Sequence, residues 1–409
     1  MQAGVRLLLS LRHESGVYLK AMKRSTERFL TTHVGSMVRP KKITQYFQAL
    51  AAKEAVDTPA FEAELSTAVA EVVKQQAAAG VDIVSDGEFG KPSWLYLTQR
   101  VSGFEIRMSE RRSPGFLGAE REGRFAEYYD ETGPLDKRGQ PFPRAVCVGP
   151  VVHTEVGRAQ MRRDIANFKA ALKDVAVEEA FLPVVAPCSM WVDYENEYYK
   201  TEEEFLFAVA DALHEDYQAI VDAGLIVQVD DAILTNLYDR IRSQGRDYRK
   251  WVAMNIEALN HGLRGIPEDR VRYHLCWGSW PGPHTSDVPL REIVDLLVKV
   301  KAQAYSIEAA NPRHEHEWQV WQDVKLPEGK ILLPGVVSHA IAHVEHPYVI
   351  AQRITRFANI LGRENVIAST DCGFAQASAV ARQHPSIVWA KLEAMAEGAR
   401  IAWREKVRV

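Results

Sequence analysis

Cysteine is scarce in this chain: Cys147, Cys188, Cys276 and Cys372 are the four among 409 residues. Thiols so few and so scattered do not make a disulfide framework, and they point to a reducing, cytoplasmic compartment. Long hydrophobic runs are missing too, since none approaches the ~20 apolar residues of a membrane-spanning helix. Charge of one sign is not in excess: the net charge is −4 with 25% charged residues. That balance gives no electrostatic case for binding nucleic acid or an anionic membrane. Internal repeats, low-complexity tracts and a Gly-x-Ser-x-Gly nucleophile signature are all absent. Residues 1–28 hold a very short apolar stretch with no small-residue cleavage site behind it, unlike a signal peptide. They read as an N-terminal extension, helical or loosely ordered.

What is present is a rhythm that begins near residue 29. Short runs resembling buried strands occur at 29–36, 82–88, 181–187, 225–231, 271–277, 304–309, 331–337 and 366–373. Helix-period stretches such as 58–80 and 202–224 lie between them, each ending in glycine, a helix stop signal. Eight strands alternating with helices predict an α/β fold with a parallel sheet, the (β/α)₈ TIM barrel, over residues 29–409. Residues 103–150, rich in Arg, Glu, Gly and Pro, interrupt the rhythm. They are expected to form an insertion after the second strand, containing a hairpin or meander.

A barrel of this kind places its chemistry at the C-terminal ends of the strands. Ser36, Asp86, Glu88, Asp230, Asp231, His274, Cys276, Glu308, Asp371 and Cys372 all fall there. In an extended strand residues i and i+2 share a face, so His274 and Cys276 project together. With Glu308 ending the sixth strand and Cys372 the eighth, the chain offers an imidazole, two thiols and a carboxylate to one mouth. Such a set suits Zn²⁺.

Six motifs carry a resemblance to a known family: TTHVGS (31–36), DIVSDGE (82–88), VQVDDA (227–232), YHLC (273–276), SIEA (306–309) and TDCG (370–373). In this order the chain resembles the C-terminal, catalytic half of cobalamin-independent methionine synthase, from about residue 28 to the end. The resemblance implies a catalytic zinc held by His274, Cys276, Glu308 and Cys372, which activates a thiol acceptor such as homocysteine for direct displacement. It implies Ser36 and nearby amides for the acceptor's carboxylate, and Glu88 and Asp230 for its ammonium. The family's seventh-strand Asp-x-His reads GVVSHAIAHVEHP (335–347), so the histidine is displaced, and His339 is the candidate general acid. The N-terminal half of the long members has no counterpart here, which leaves the donor open between methyltetrahydrofolate, methylcobalamin and another alkyl group.

Shorter relatives of the same superfamily open epoxides with thiol coenzymes such as coenzyme M at the same kind of zinc site. That is the first alternative. A metal-free barrel like uroporphyrinogen decarboxylase and a non-catalytic thiol- or metal-binding barrel are two others. Trp94, Tyr96, Trp191, Trp277 and Trp280 are positioned to stack a pterin or wall an apolar pocket. The sequence carries no indication of oligomeric state.

Overall fold

Local signals start and stop the helices that space the strands. The helix Thr58–Ala78 begins at Asp57, whose carboxylate accepts a hydrogen bond from the Ala60 amide. The helix Glu202–Asp222 begins at Thr201 in the same way and carries three glutamates in its first turn, against the positive end of its dipole. It stops at Gly224, whose φ of +84° is open to glycine without a Cβ penalty. The chain is thereby turned straight into the β-branched run IVQVDD.

The computed structural model describes residues 21–93, 96–109, 119–132, 142–191, 194–278, 282–375 and 383–405. The strands are β1 (Ile83–Val84), β2 (Phe104–Ser109), β3 (Phe142–Cys147), β4 (Glu179–Val185), β5 (Tyr194–Asn196), β6 (Ile226–Asp231), β7 (Val271–Leu275), β8 (Ala304–Ile307), β9 (Ile331–Val337) and β10 (Ser369–Thr370). Seven of them form one curled sheet in the order β1-β4-β6-β7-β8-β9-β10, every neighbouring pair parallel. The first expected strand, 29–36, contributes only bridges. Thr32 pairs with Ile83 at one edge of the sheet, and Thr31 with Ala368 beside the other. The segment leaves extended pairing almost at once, because the His33 ring folds back to accept the Gly35 amide at 3.1 Å.

β2 and β3, from the expected insertion, pair antiparallel from Phe104↔Cys147 to Ser109↔Phe142. β3 then pairs in parallel with β5, which follows β4, so a separate three-stranded sheet draws in residues beyond 150.

Alternation along the strands sorts the interior of the curl into levels. Leu30, Ile83, Phe181, Ile226, Ala304, Ile331, Leu333 and Ile367 form an apolar cluster of their own, joined by Met22. Residues 21–28 contain no helix; Met22 fills that cluster, and Ser25 donates to the Val366 carbonyl at 2.6 Å. Further up the curl the interior becomes polar on β6 and β7, at Gln228 and Arg272, and on β8 at Ser306, while Leu333 of β9 beside Ser306 stays in the apolar cluster. Arg272 is buried, donating to Thr32 Oγ1 (3.0 Å) and the His33 carbonyl (3.2 Å), with its guanidinium 4.0 Å from the Phe181 ring centre. Burial pulls its pKa down to about 9, against the charges of Asp230 and Glu179. The next step up puts Asp230, His274 and Ser306 side by side in register. The sheet thus runs from an apolar floor to a polar mouth.

Candidate metal and acceptor site

β7 delivers His274, and Cys276 follows its last residue on the same face. The Cys276 amide is fixed by the Asp231 carbonyl at 3.2 Å, which keeps the extended backbone one residue beyond the strand. Cys372 arrives from the turn after β10, and its sulfur lies 3.4 Å from that of Cys276. The candidate ligand atoms of His274, Cys276 and Cys372 all lie within 4.8 Å of one another, and all three residues are buried. His274 Nδ1 contacts Ser306 Oγ at 3.3 Å. The Cys276 thiol and the imidazole both bond to Cys372 and hold its pKa well below the usual thiol range despite burial; the same bond pushes Cys276 well above it. Two sulfurs and an imidazole in such contact fit a thiophilic cation.

Glu308 stands beside this trio, in a second buried group with His339 and Asp371 whose ligand atoms also lie within 4.8 Å of one another. Both its oxygens are gripped: Oε1 accepts from the Trp277 amide (2.7 Å) and Oε2 from Asn311 Nδ2 (2.7 Å). Of the four expected ligands the structure clusters three and ties the fourth to the residue after Cys276. His339 is buried, and its charge bears on Cys372. His343 and His346 are exposed, the latter capping the helix Pro347–Leu361.

On the opposite side, Glu88 projects from a turn in which Gly87 and Glu88 both have positive φ, +69° and +59°. For glutamate that conformation costs about 1–3 kcal/mol and persists only where surrounding contacts impose it. Its amide donates to Asp86 Oδ1 (2.9 Å) and its carbonyl accepts from Arg39 (2.9 Å). Its carboxylate is 3.3 Å from the buried Lys91 ammonium, which also donates to the Pro183 carbonyl. Asp230, between Glu88 and His274, is pushed up to about 8 by burial and then by the charge of Glu88, with His274, Lys91 and Gln228 opposing. Its neighbour Asp231 faces the other way, accepting from Cys188 (2.8 Å), Leu234 N (3.0 Å) and Tyr273 OH (2.9 Å). Ser36 packs against the Cys372 turn: its carbonyl accepts from Phe374 N at 2.9 Å, and a Cβ on Gly373 would stand 2.1 Å from its hydroxyl. Only glycine fits there.

His314 is buried and bonded on both nitrogens, to Glu317 (2.8 Å) and Asp287 (3.1 Å), and its ring lies 4.7 Å from Trp277; His316 is exposed. Among the mouth aromatics, Tyr96 and Trp277 are fully buried, while Trp94 and Trp280 lie outside the described residues. Lys91 and Arg39, which sequence reasoning passed over, both brace Glu88. The only signal for Lys91 was its place three residues after Glu88.

These observations define an α/β protein with a curled parallel sheet and a buried sulfur–nitrogen cluster over the carboxyl ends of the strands. Residues 144–400 match the family described as the cobalamin-independent synthase, catalytic domain, and the chain belongs to that family. It is similar to the methionine synthase of Thermococcus kodakarensis, 22% identical over 383 residues that cover 92% of this chain and 94% of the relative. A methionine synthase of Saccharolobus islandicus is 23% identical over 382 residues, 92% of this chain and 96% of the relative. Among solved structures, a B12-independent methionine synthase from Shewanella sp. W3-18-1 superposes with a TM-score of 0.66 at 17% identity, over 91% of this chain and 97% of that one. That likeness gives the fold. No helix among the described residues is long and apolar enough to cross a membrane.

Proposed function

We propose that this protein is a zinc-dependent S-methyltransferase whose acceptor is a small amino-acid thiol such as homocysteine. The observation that carries the proposal is the contact of Cys276, Cys372 and His274 within one buried cluster, at the positions of the family's ligand motifs. We read the sheet as a (β/α)₈ barrel closed by residues 29–36, a single catalytic domain over 29–409 with 103–150 inserted and 1–28 as an extension.

His274, Cys276 and Cys372 hold the metal in this reading, with Glu308 as the fourth candidate ligand. Zinc, when bound, supplies Lewis-acid stabilisation of the acceptor sulfur as thiolate at neutral pH. Glu88 and Asp230 bind the acceptor's ammonium through charge-assisted hydrogen bonds, and Ser36 with neighbouring amides takes its carboxylate. The acceptor sulfur forms a bond to the donor's methyl carbon as that carbon's bond to its leaving atom breaks. Where the leaving atom is the nitrogen of methyltetrahydrofolate, His339 gives it a proton. Where the donor is methylcobalamin, the cobalt leaves with the electron pair and no proton is required.

The proposal is tested by metal analysis of the purified protein, then by homocysteine methylation with each donor. Stoichiometric zinc with methionine formed from either donor supports it. Protein that binds no zinc under saturating conditions, or zinc-loaded protein inert with both donors, refutes it. A second reading is favoured by Lys91, a buried cation beside the acceptor pocket that suits a thiol with an anionic tail, such as coenzyme M opening an epoxide. Epoxide consumption with that thiol, and none of either methyl donor, selects it. The metal-free decarboxylase reading leaves two buried thiols and an imidazole in contact without a role.

A further inference from the structure

We infer that Arg39 is a positioning residue that locks the loop presenting Glu88 to the loop presenting Cys372. The inference rests on the reading of Glu88 as acceptor-binding and Cys372 as a metal ligand.

Three loops meet behind the site: the one after residues 31–32, carrying Ser36 and Arg39; the one after β1, carrying Glu88 and Lys91; and the one after β10, carrying Cys372 and Ala375. Arg39 is buried, and its guanidinium spans the other two. Nη2 donates to the Glu88 carbonyl (2.9 Å), Nε to the Lys91 carbonyl (3.0 Å) and Nη1 to the Ala375 carbonyl (2.9 Å). All three acceptors are backbone atoms. Glu88 and Asp86 stabilise the cation through space while burial opposes it.

A buried cation bonded only to carbonyls is a poor source of stability, because removing it from water costs more than neutral acceptors return. What it does supply is geometry. The guanidinium is a rigid planar fork, so the directions of its donors fix the three carbonyls relative to one another. Those carbonyls belong to Glu88 itself, to the lysine paired with its carboxylate, and to the loop that closes over Cys372. Ser36 holds the same loop from the other side, its carbonyl and hydroxyl accepting from Phe374 and Ala375 amides at 2.9 and 3.4 Å.

The strained φ of +59° at Glu88 completes the case. A glutamate in the left-handed region relaxes unless both flanking peptides are held. Asp86 holds the amide and Arg39 the carbonyl. An acceptor gripped at its amino-acid end by Glu88 and at its sulfur near Cys372 has a fixed length. The distance between those two ends is therefore a catalytic quantity, and a misplacement of about 1 Å can cost on the order of 10²-fold.

The experiment compares wild type with Arg39→Ala and Arg39→Lys as full-length, cobalt-loaded proteins. Amide hydrogen exchange is measured over 86–91 and 372–375, and the sulfur-to-cobalt absorption is titrated with homocysteine. Arg39→Ala is expected to bind cobalt at the wild-type stoichiometry, to exchange faster in both segments together, and to need at least about tenfold more homocysteine. Added guanidinium ion should restore part of both, whereas Arg39→Lys should resemble Arg39→Ala, since a lysine lacks the fork. Should Arg39→Ala fail to fold, Arg39→Lys carries the comparison alone. Exchange that rises in only one segment or in neither overturns the inference, whatever the thiol does. A wild-type protein whose cobalt absorption ignores homocysteine instead overturns the reading of the acceptor, leaving the exchange result to stand for Arg39.

Discussion

Two buried histidine clusters flank Trp277, and they are built on opposite principles. His314 is enclosed by carboxylates, Asp287 and Glu317, which satisfy both ring nitrogens; burial opposes its charge, yet they raise it to about 10. His274 faces two sulfurs and a serine hydroxyl, in a cluster where the Cys276 and Cys372 sulfurs touch at 3.4 Å. The first cluster is electrostatically complete and acts as a brace for the loop after β7. The second brings two sulfurs and an imidazole into contact with no carboxylate or cation among the described residues closing the set, the kind of donor group a soft cation binds. Completeness, rather than burial or residue type, separates a structural histidine from a ligand.

The sharpest way to break the comparison is to remove a sulfur. Cys276→Ser or Cys372→Ser is expected to abolish stoichiometric zinc and lower methyl transfer on the order of 10³-fold, the worth of several kcal/mol of Lewis-acid stabilisation. Far-UV circular dichroism should be unchanged, because these side chains lie at the mouth, above the apolar floor of the sheet. A variant with full zinc and full activity would remove that cysteine from the ligand set.

Removing the brace should have the reverse signature. His314→Gln removes the cation that Glu317 and Asp287 share and leaves Asp287 to His284, a loss of about 3–5 kcal/mol of stability. Zinc content of the surviving folded protein should stay stoichiometric. Because the folded pKa of His314 is raised to about 10, its contribution is complete below the unfolded value of about 6.5 and is lost as pH rises through about 10. Denaturant midpoints of wild type should therefore fall across that window, and those of His314→Gln should fall less. Parallel pH profiles would show that His314 is not the cation inferred here.

His339 shares a buried group with Glu308 and Asp371 and lies between the two cases. His339→Gln should slow transfer from methyltetrahydrofolate by about 10²-fold or more and leave transfer from methylcobalamin nearly intact, since only the first needs a proton. Equal losses with both donors would make His339 a structural or metal-binding residue.

Much of the scaffold was legible because strand and helix signals are local. Seven of the eight expected strand segments contain strands of the curled sheet, and both quoted helices stop at their glycines. The exception, 29–36, has the composition of a strand but is turned by the His33–Gly35 contact, which propensity does not register. β5 was missed because it is short and owes its pairing to β3, distant in sequence. That His274 and Cys276 share a face was legible from the two-residue period. Asp230 was set apart from Asp231 by the family resemblance and not by residue type, and the grip of the Trp277 amide on Glu308 has no sequence signature. Lys91 and Arg39 were invisible for a common reason: much of what they bond is backbone carbonyl, and carbonyls are the same at every position.

The subtlest test lies at the acceptor end, where charge rather than metal decides. Glu88 is 13% exposed at its side chain and already paired with Lys91, so an incoming ammonium shares the carboxylate with a resident cation. Glu88→Gln keeps the shape and removes the charge. It should retain stoichiometric zinc and raise the KM for homocysteine by about tenfold, the worth of one charge-assisted hydrogen bond replaced by a neutral one. Thiols lacking an amino group should lose nothing, because the variant leaves their sulfur contacts intact. The same substitution removes one of the two carboxylates that oppose the Lys91 charge and leaves Asp86, so an anion-tailed thiol should bind more tightly to the variant than to wild type. Unchanged affinity for both kinds of thiol would take Glu88 out of the pocket and leave its strained turn without a functional explanation.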